Sequence, residues 1–417
     1  MILGVIADDF TGATDVASML VRSGMRTVQC IGVPQGPPPQ ADAVVVALKT
    51  RTCPSAEAVR LSLQALRWLQ QAGARQFYFK YCSTFDSTPE GNIGPVAEAM
   101  KQALDTDFAI ACPAFPENGR TVYRGHLFVG DVLLGESGMR DHPLTPMTDS
   151  NLVRVLQSQV RVPVGLAPES VVRQGSQALR SHLDLLRASG HGFAVVDAID
   201  DAALRTMAQA CDGMPLITAG SGVALGLPEV YLRRGWLQPD ATAAQLSAVG
   251  GRQVVLSGSC SQATRAQVAH WIDQGWPAFR FDPVCLDQGQ DMVSQALTAW
   301  LTRPEVPMLF YATAEPEAVK AAQRQLGVQR AGEIIEKAFA ELAQRLAQQD
   351  VRRFVVAGGE TSGSVVQALG VARMRIGPTI DPGVPWTQAE DRALLLALKS
   401  GNFGSVDFFS KALAMTA

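Results

Sequence analysis

Two adjacent acids, Asp8 and Asp9, close the apolar run Ile2 to Ala7 and are followed by Phe10-Thr11-Gly12. Open parallel sheets bind their ligands at the carboxyl ends of strands, and a carboxylate there can hold a hydroxyl group or take a proton from an alcohol. A helix cap would account for one Asp and leave Asp15 as a solvated helix residue. It does not account for two neighbours facing opposite sides of a strand end. Asp8 and Asp9 are therefore catalytic candidates, with Thr11 and Gly12 beside them for substrate. A second cluster, Lys80-Tyr81-Cys82-Ser83-Thr84-Phe85-Asp86, breaks an otherwise buried run, FYFKYC, with a lysine. A buried ammonium needs a partner, such as a substrate carboxylate or an Asp. Lys80, Ser83 and Asp86 are thus expected to bind substrate. Arg124 and His126, with Arg120 close by, offer further carboxylate contacts, since arginine matches a carboxylate with two parallel hydrogen bonds. His142 and Asp141 could join them.

Three turns rich in glycine and serine form another set. Phe354 to Val365 reads FVVAGGETSGSV; VVLSGSCSQAT precedes it and LLALKSGNFGS follows it. Small residues between a strand and a helix leave backbone N–H groups open at the positive end of the helix dipole, which suits phosphate. The nucleotide candidates are Ser257, Gly258 and Ser259; Gly358, Gly359, Glu360, Thr361 and Ser362; and Gly401, Asn402 and Gly404, beside the cation of Lys399. Gly358 and Gly363 have P-loop spacing, but Ser364-Val365 follows where Lys-Ser/Thr is required. No dinucleotide fingerprint opens a strand–helix pair, and the protein-kinase motifs are missing.

The elements that must carry these groups alternate. Strands are expected at Ile2 to Ala7, Ala43 to Leu48, Gln76 to Cys82, Phe108 to Cys112, Pro163 to Ala167, Phe193 to Ala198 and Leu216 to Ala219. Helices are expected at Asp15 to Arg22, Ser55 to Ala72 with a Ser cap, and Ile93 to Leu104. Such alternation implies βαβ units. Thr121 to Val129 reads as a β excursion leading into a functional loop, Gly135 to Asp149. Gln238 to Arg252 loses periodicity and reads as a linker, and a long helix is expected over Ala331 to Gln349. The expected fold is α/β with two domains, 1–237 and 253–417 joined by 238–252, each a mostly parallel sheet flanked by helices, with the active site in the cleft between them.

Composition agrees. At 417 residues the chain exceeds the usual single core. It is 47% hydrophobic and 18% charged, with a formal net charge of −3. No basic run favours nucleic acid, no apolar run reaches membrane-spanning length, and the N-terminus lacks the form of a signal peptide. Seven widely spaced cysteines without a CxxC pair point to reduced thiols and a cytoplasmic location; Cys82 and Cys260 have no nearby partner that would activate them. The five histidines form no metal-ligand pattern. Trp68, Trp271 and Trp300 read as core. Self-association through the exposed face of the β excursion is compatible with the sequence.

Five ordered motifs, ADDFTGATDVA, KYCSTFDSTPEGNIG, SGSCSQAT, AGGETSG and LKSGNFG, resemble the four-carbon acid sugar kinase family over nearly the whole chain. Within that family they are most similar to the kinases acting on 3-oxo-tetronates. The resemblance implies an N-terminal domain for the acid sugar and a C-terminal domain for ATP, with Mg²⁺ accompanying the nucleotide. It implies transfer to the C4 hydroxyl of a 3-oxo-tetronate, giving the 4-phosphate and ADP. By the same resemblance Ser259, the segment Gly359 to Ser362 and the turn Gly401 to Gly404 contact ATP, while Asp8, Asp9 and Lys80 lie with the sugar. A kinase for the non-oxidised tetronates, a different enzyme of small acids, and a non-catalytic sugar-acid binder are the alternatives.

Overall fold

The computed structural model describes residues 1–142 and 145–415. The chain divides into two compact units, Met1–Ala244 and Gln245–Ala417. The first carries strands β1 (Leu3–Ala7), β2 (Thr27–Ile31), β3 (Ala43–Ala47), β4 (Gln76–Lys80), β5 (Ala109–Cys112), β6 (Arg120–Tyr123), β7 (His126–Val129), β8 (Val132–Leu133), β9 (Val164–Ala167), β10 (Phe193–Val196) and β11 (Leu216–Ala219). Eight of them form a wholly parallel sheet in the order β2-β3-β1-β4-β11-β5-β10-β9. The central runs, LGVIA, AVVVA and QFYFK, are buried at every position, as a sheet covered by helices on both faces requires. Gly4 lets helix Ser55–Gln71 approach β1, since a Cβ there would lie 3.1 Å from Leu69.

Register is what positions the site. Ala7 pairs with Ala47 of β3 and with Lys80 of β4, and Lys80 pairs with Ala219 of β11. Four neighbouring strands therefore end at one level. Helix Phe10–Arg22 starts directly after β1, five residues before the expected Asp15, because Asp9 caps it. Its chain turns back at Gly24, which adopts φ +82°. Helix Ser55–Gln71 lacks the expected Ser cap: Pro54 precedes it without a side-chain bond, and Ser55 is already helical. Strand β2 was not expected, because Gln29 interrupts its apolar run. Gln29 is fully buried and satisfied, accepting from Thr14 Oγ1 at 3.0 Å and donating to the Phe10 carbonyl at 3.2 Å.

The β excursion is present as a small antiparallel sheet, β6-β7-β8. Arg124 and Gly125 join β6 to β7 with φ of +49° and +72°, the backbone of a tight hairpin whose two central residues are left-handed. The carboxylate of Asp197, just past β10, accepts from Arg124 N at 2.6 Å, Gly125 N at 2.8 Å and Glu169 N at 2.9 Å. One buried side chain thus pins the hairpin to the main sheet.

The second unit carries β12 (Arg252–Ser257), β13 (Ala278–Arg280), β14 (Met308–Tyr311), β15 (Val351–Ala357), β16 (Arg373–Asp381), β17 (Val384–Ala389) and β18 (Leu395–Lys399). Their order is β13-β14-β12-β15-β18-β17-β16. The first five are parallel, while β17 and β16 run antiparallel, a hairpin absent from the sequence expectation. Val255, Val355, Trp386, Leu395 and Phe408 belong to its core together with Trp271; Trp300 is also buried. Trp68, expected in the core, is only half-buried and donates to the Gly36 carbonyl at 3.2 Å. The long helix is Val328–Gln348. No helix among the described residues is long and apolar enough to cross a membrane.

Replacing Asp197 by Ala should leave three backbone N–H groups without their acceptor and lower the stability of the first unit by on the order of 3 kcal/mol. Chemical denaturation checks this; Asp197→Asn, which keeps one acceptor oxygen, should lose less. Equal midpoints for all three proteins would contradict the pinning role.

Candidate active site

The mouth formed by β3, β1, β4 and β11 gathers charge. Arg51, four residues past β3, donates from Nε and Nη2 to the two oxygens of Asp8 at 3.1 and 2.8 Å. The same Nη2 lies 2.9 Å from Asp9 Oδ1. Asp9 also caps its helix: Oδ1 accepts from Gly12 N at 2.8 Å and Oδ2 from Thr11 Oγ1 at 2.9 Å. Asp9 is therefore a cap and a member of the cluster at once. Burial lifts the Asp8 carboxyl above its ordinary value despite Arg51. Burial acts the same way on Asp9, but Arg51 and Lys80, helped by the Thr11 and Gly12 donors, hold it below. Burial also opposes the Arg51 charge, and the two carboxylates outweigh it.

Lys80 is buried and donates to the Tyr81 carbonyl at 2.7 Å. A Cβ on Gly12 would run into Asp9 Oδ1 and stand 2.8 Å from Lys80 Nζ, so a glycine is needed where carboxylate and ammonium converge. Asp15 is not a solvated helix residue. It is buried, accepts from Ser221 Oγ just past β11, and leaves Oδ1 without a hydrogen-bond partner. Burial pushes its carboxyl up to about 7, against the pull of Lys80.

The loop after β4 adds Ser83, which is buried, and Asp86, which accepts from Thr84 Oγ1. Asp8, Thr50, Arg51, Asp86 and Asn92 line one small cavity. Cys82 Sγ lies 2.9 Å from Thr84 Oγ1, and burial pushes its thiol up to about 12, in keeping with an inert cysteine. From the β excursion, Arg120 has its pKa lowered by burial, while Cys82, Asp86 and Asp15 act on it in the opposite sense. His142 is lowered by burial and feels both Asp86 and Arg51. Arg124 and His126, the residues expected there, are engaged inside the excursion. The exposed Arg124 guanidinium lies 5.8 Å from the Tyr123 ring centre, and the His126 ring contacts the Arg124 carbonyl at 2.9 Å and Asn151 at 3.3 Å.

Arg51 and Ser221 escaped the sequence reading. Each follows a buried strand by a short polar or glycine-containing stretch, Leu48-Lys49-Thr50-Arg51 and Gly220-Ser221. Only the pairing of those strands with β1 and β4 brings them to the acids.

In the second unit the three turns are laced together because β12, β15 and β18 are neighbours. Gly258 N and Ser259 N donate to the Ala357 carbonyl at 3.0 and 3.2 Å, and Gly358 N donates to the Lys399 carbonyl at 2.8 Å. A Cβ on Gly258 would collide with Thr361 Oγ1, and one on Gly401 would stand 2.5 Å from Ser259 Oγ. The turns differ in detail. Helix Gly359–Ala368 opens at Gly358 (φ +124°), a residue that brings no side-chain cap. Helix Gln262–Asp273 is capped by Ser261. The third turn opens no helix: Phe408–Ala414 begins only after Asp407, and the phosphate-suited helix start expected there is missing. Gly404 there takes φ +85° and its carbonyl accepts from Gln267 at 3.1 Å. Ser257 is fully buried with its hydroxyl 2.9 Å from Thr313 Oγ1. Thr361 and Ser362 are buried, Ser362 Oγ without a partner, while Glu360 and Asn402 are exposed. The unit thus offers a small-residue floor and a helix start without a side-chain cap, which fits a polyphosphate.

Family models match both units: a sugar-binding N-terminal domain over residues 3–227 and a nucleotide-binding C-terminal domain over residues 254–409. The chain belongs to the four-carbon acid sugar kinase family. Among its relatives, the 3-oxo-tetronate kinase of Cupriavidus necator is 58% identical over 99% of this chain and 96% of its own. That of Pseudomonas fluorescens is 58% identical over 100% and 97%. A Salmonella typhimurium crystal structure, 47% identical, superposes with a TM-score of 0.87 over 100% of this chain and 99% of its own. A Haemophilus influenzae crystal structure, 44% identical, gives 0.77 over 99% of each chain. The Salmonella structure carries a provisional tRNA synthase description, which the curated kinases of the family do not share.

In this family member the buried Asp15 gives a test of the first unit's electrostatics. Between the ordinary carboxylate range and about 7, folded Asp15 keeps a proton that the unfolded chain has released. Its contribution to stability is therefore lost as pH rises through that window. Asp15→Asn should gain stability over the natural protein from about pH 5 to about pH 8 by on the order of 2 kcal/mol. Unfolding midpoints across pH check this; parallel curves would refute it.

Proposed function

We propose that the chain is an ATP-dependent kinase that phosphorylates the C4 hydroxyl of a 3-oxo-tetronate, giving the 4-phosphate and ADP. The curated relatives with that activity support the substrate. The observation that carries the chemistry is the Arg51 fork joining Asp8 and Asp9 at the ends of adjacent strands. Phosphoryl transfer asks for positioning and charge neutralisation more than covalent help.

Asp9 is the acceptor for the attacking hydroxyl. Its Oδ1 is engaged by Gly12 and Arg51, but among the described residues Oδ2 accepts only from Thr11 and keeps a lone pair for a substrate hydrogen. Its lowered pKa keeps it ionised, which lets it orient the hydroxyl and accept its proton late in transfer. Asp8, bound through both oxygens to Arg51, holds that guanidinium in place. Arg51, Arg120 and Lys80 form the cationic side of the mouth, where the sugar carboxylate binds; Ser83 and Asp86 lie ready for its hydroxyls. On the second unit, the turns at Gly258–Ser259, Gly358–Ser362 and Gly401–Gly404 receive ATP. Mg²⁺ bound with the nucleotide would supply charge neutralisation at the phosphates; such an ion needs few protein ligands. The described residues hold no group of three His, Cys, Asp or Glu side chains that could cage one.

An ADP-release assay with ATP and a panel of four-carbon acids tests the substrate. Turnover should be highest with a 3-oxo-tetronate; turnover of threonate or erythronate with none of the oxo acids would replace this reading. Asp9→Asn should lower kcat on the order of a hundredfold while the protein stays folded. Undiminished kcat would remove Asp9 from the reaction.

A further inference from the structure

The turn after β18 rests on a lysine that the mechanism above does not use. Lys399 is the last residue of β18 and is fully buried. Its Nζ donates to Thr264 Oγ1 at 2.9 Å, to the Ser400 carbonyl at 3.0 Å and to the Gly401 carbonyl at 2.9 Å. Three ammonium hydrogens meet three acceptors, and every acceptor is neutral. Among the described residues no carboxylate forms an ion pair with it.

The Gly401 carbonyl also accepts from Ser261 Oγ at 2.5 Å and Thr264 Oγ1 at 2.7 Å. Lys399 therefore ties the third turn to the start of helix Gln262–Asp273. Burial alone pushes its pKa down to about 7. Among the described residues, β15 ends beside it in Ala357, the helix presents Thr264, and the turn presents two carbonyls. A buried cation without an anion is costly, and folds seldom keep one without a use.

We infer that Lys399 is a positioning residue for the nucleotide: its buried ammonium fixes the Gly401 turn and finds its missing counter-charge in the polyphosphate bound there. This rests on reading the glycine turns as the nucleotide site. Near neutral pH the free protein holds Lys399 partly deprotonated, and an arriving polyanion favours the ammonium. Nucleotide binding therefore takes up a proton from the buffer.

Calorimetric titration of ADP with Mg²⁺ into the full chain, in buffers of different ionisation enthalpy at about pH 7.5, reads that proton directly. The expected uptake is about half a proton. K399R keeps its charge at working pH, so it should bind ADP and lose this uptake. K399M should lose the uptake and bind ADP about tenfold or more weakly, with KM for the sugar acid unchanged. Binding by the natural protein without uptake, or the same uptake in K399R, would overturn the role of Lys399 while leaving the nucleotide site in place. Normal ADP binding by Gly401→Ala would overturn the site reading itself, and this inference with it.

Discussion

The first unit depends on one guanidinium. Two carboxylates at the end of a strand repel each other; at about 4 Å and an effective dielectric near 20 the penalty is roughly 4 kcal/mol. Burial adds to it, as the raised Asp8 shows. Arg51 resolves the conflict with a planar fork that takes both oxygens of Asp8 and one of Asp9. Lysine could supply the charge but not the geometry. The result is an Asp9 held below the ordinary carboxylate value and oriented beside a cation.

That fork forms only because strand register brings residues distant in sequence to one level. Ala7, Ala47, Lys80 and Ala219 sit side by side, and the residues just beyond each strand end supply Asp8 and Asp9, Arg51, Cys82 to Asp86, and Ser221. A slip of one residue would turn every side chain on a strand to the other face. The continuous apolar runs that bury these strands therefore serve the chemistry directly.

Residues with unusual local chemistry were legible in the sequence. Paired acids, a lysine inside FYFKYC and glycine-rich strand ends each break a local rule, and each lies at or just past the end of a strand. Arg51 and Ser221 break no such rule; an arginine after a polar step and a serine after a glycine are ordinary loop residues. Their importance arises from pairing between strands more than 30 residues apart in sequence. The surroundings of Arg124, His126 and Arg120 differ for a related reason. The three share one short excursion, and the hairpin geometry, with Arg124 left-handed and pinned through its N–H by Asp197, leaves the Arg124 side chain exposed while Arg120 is half-buried. Strand β2 was hidden because a buried Gln29 looks like a surface residue until its partners are known.

The two units solve opposite electrostatic problems. The sugar-binding unit gathers fixed charges of both signs, so its mouth is neutralised before a ligand arrives and can discriminate by geometry. The nucleotide-binding unit presents backbone N–H groups, hydroxyls and a helix start without a side-chain cap, with the buried Lys399 ammonium beneath a turn. Dipoles of this kind favour a polyanion without preformed ion pairs that the nucleotide would have to break. A surface cluster of lysines would bind polyphosphate too, but it would also bind other anions and would be screened by salt. Placing the charge under Gly401, where only the turn can transmit it, ties attraction for phosphate to the correct shape of the site.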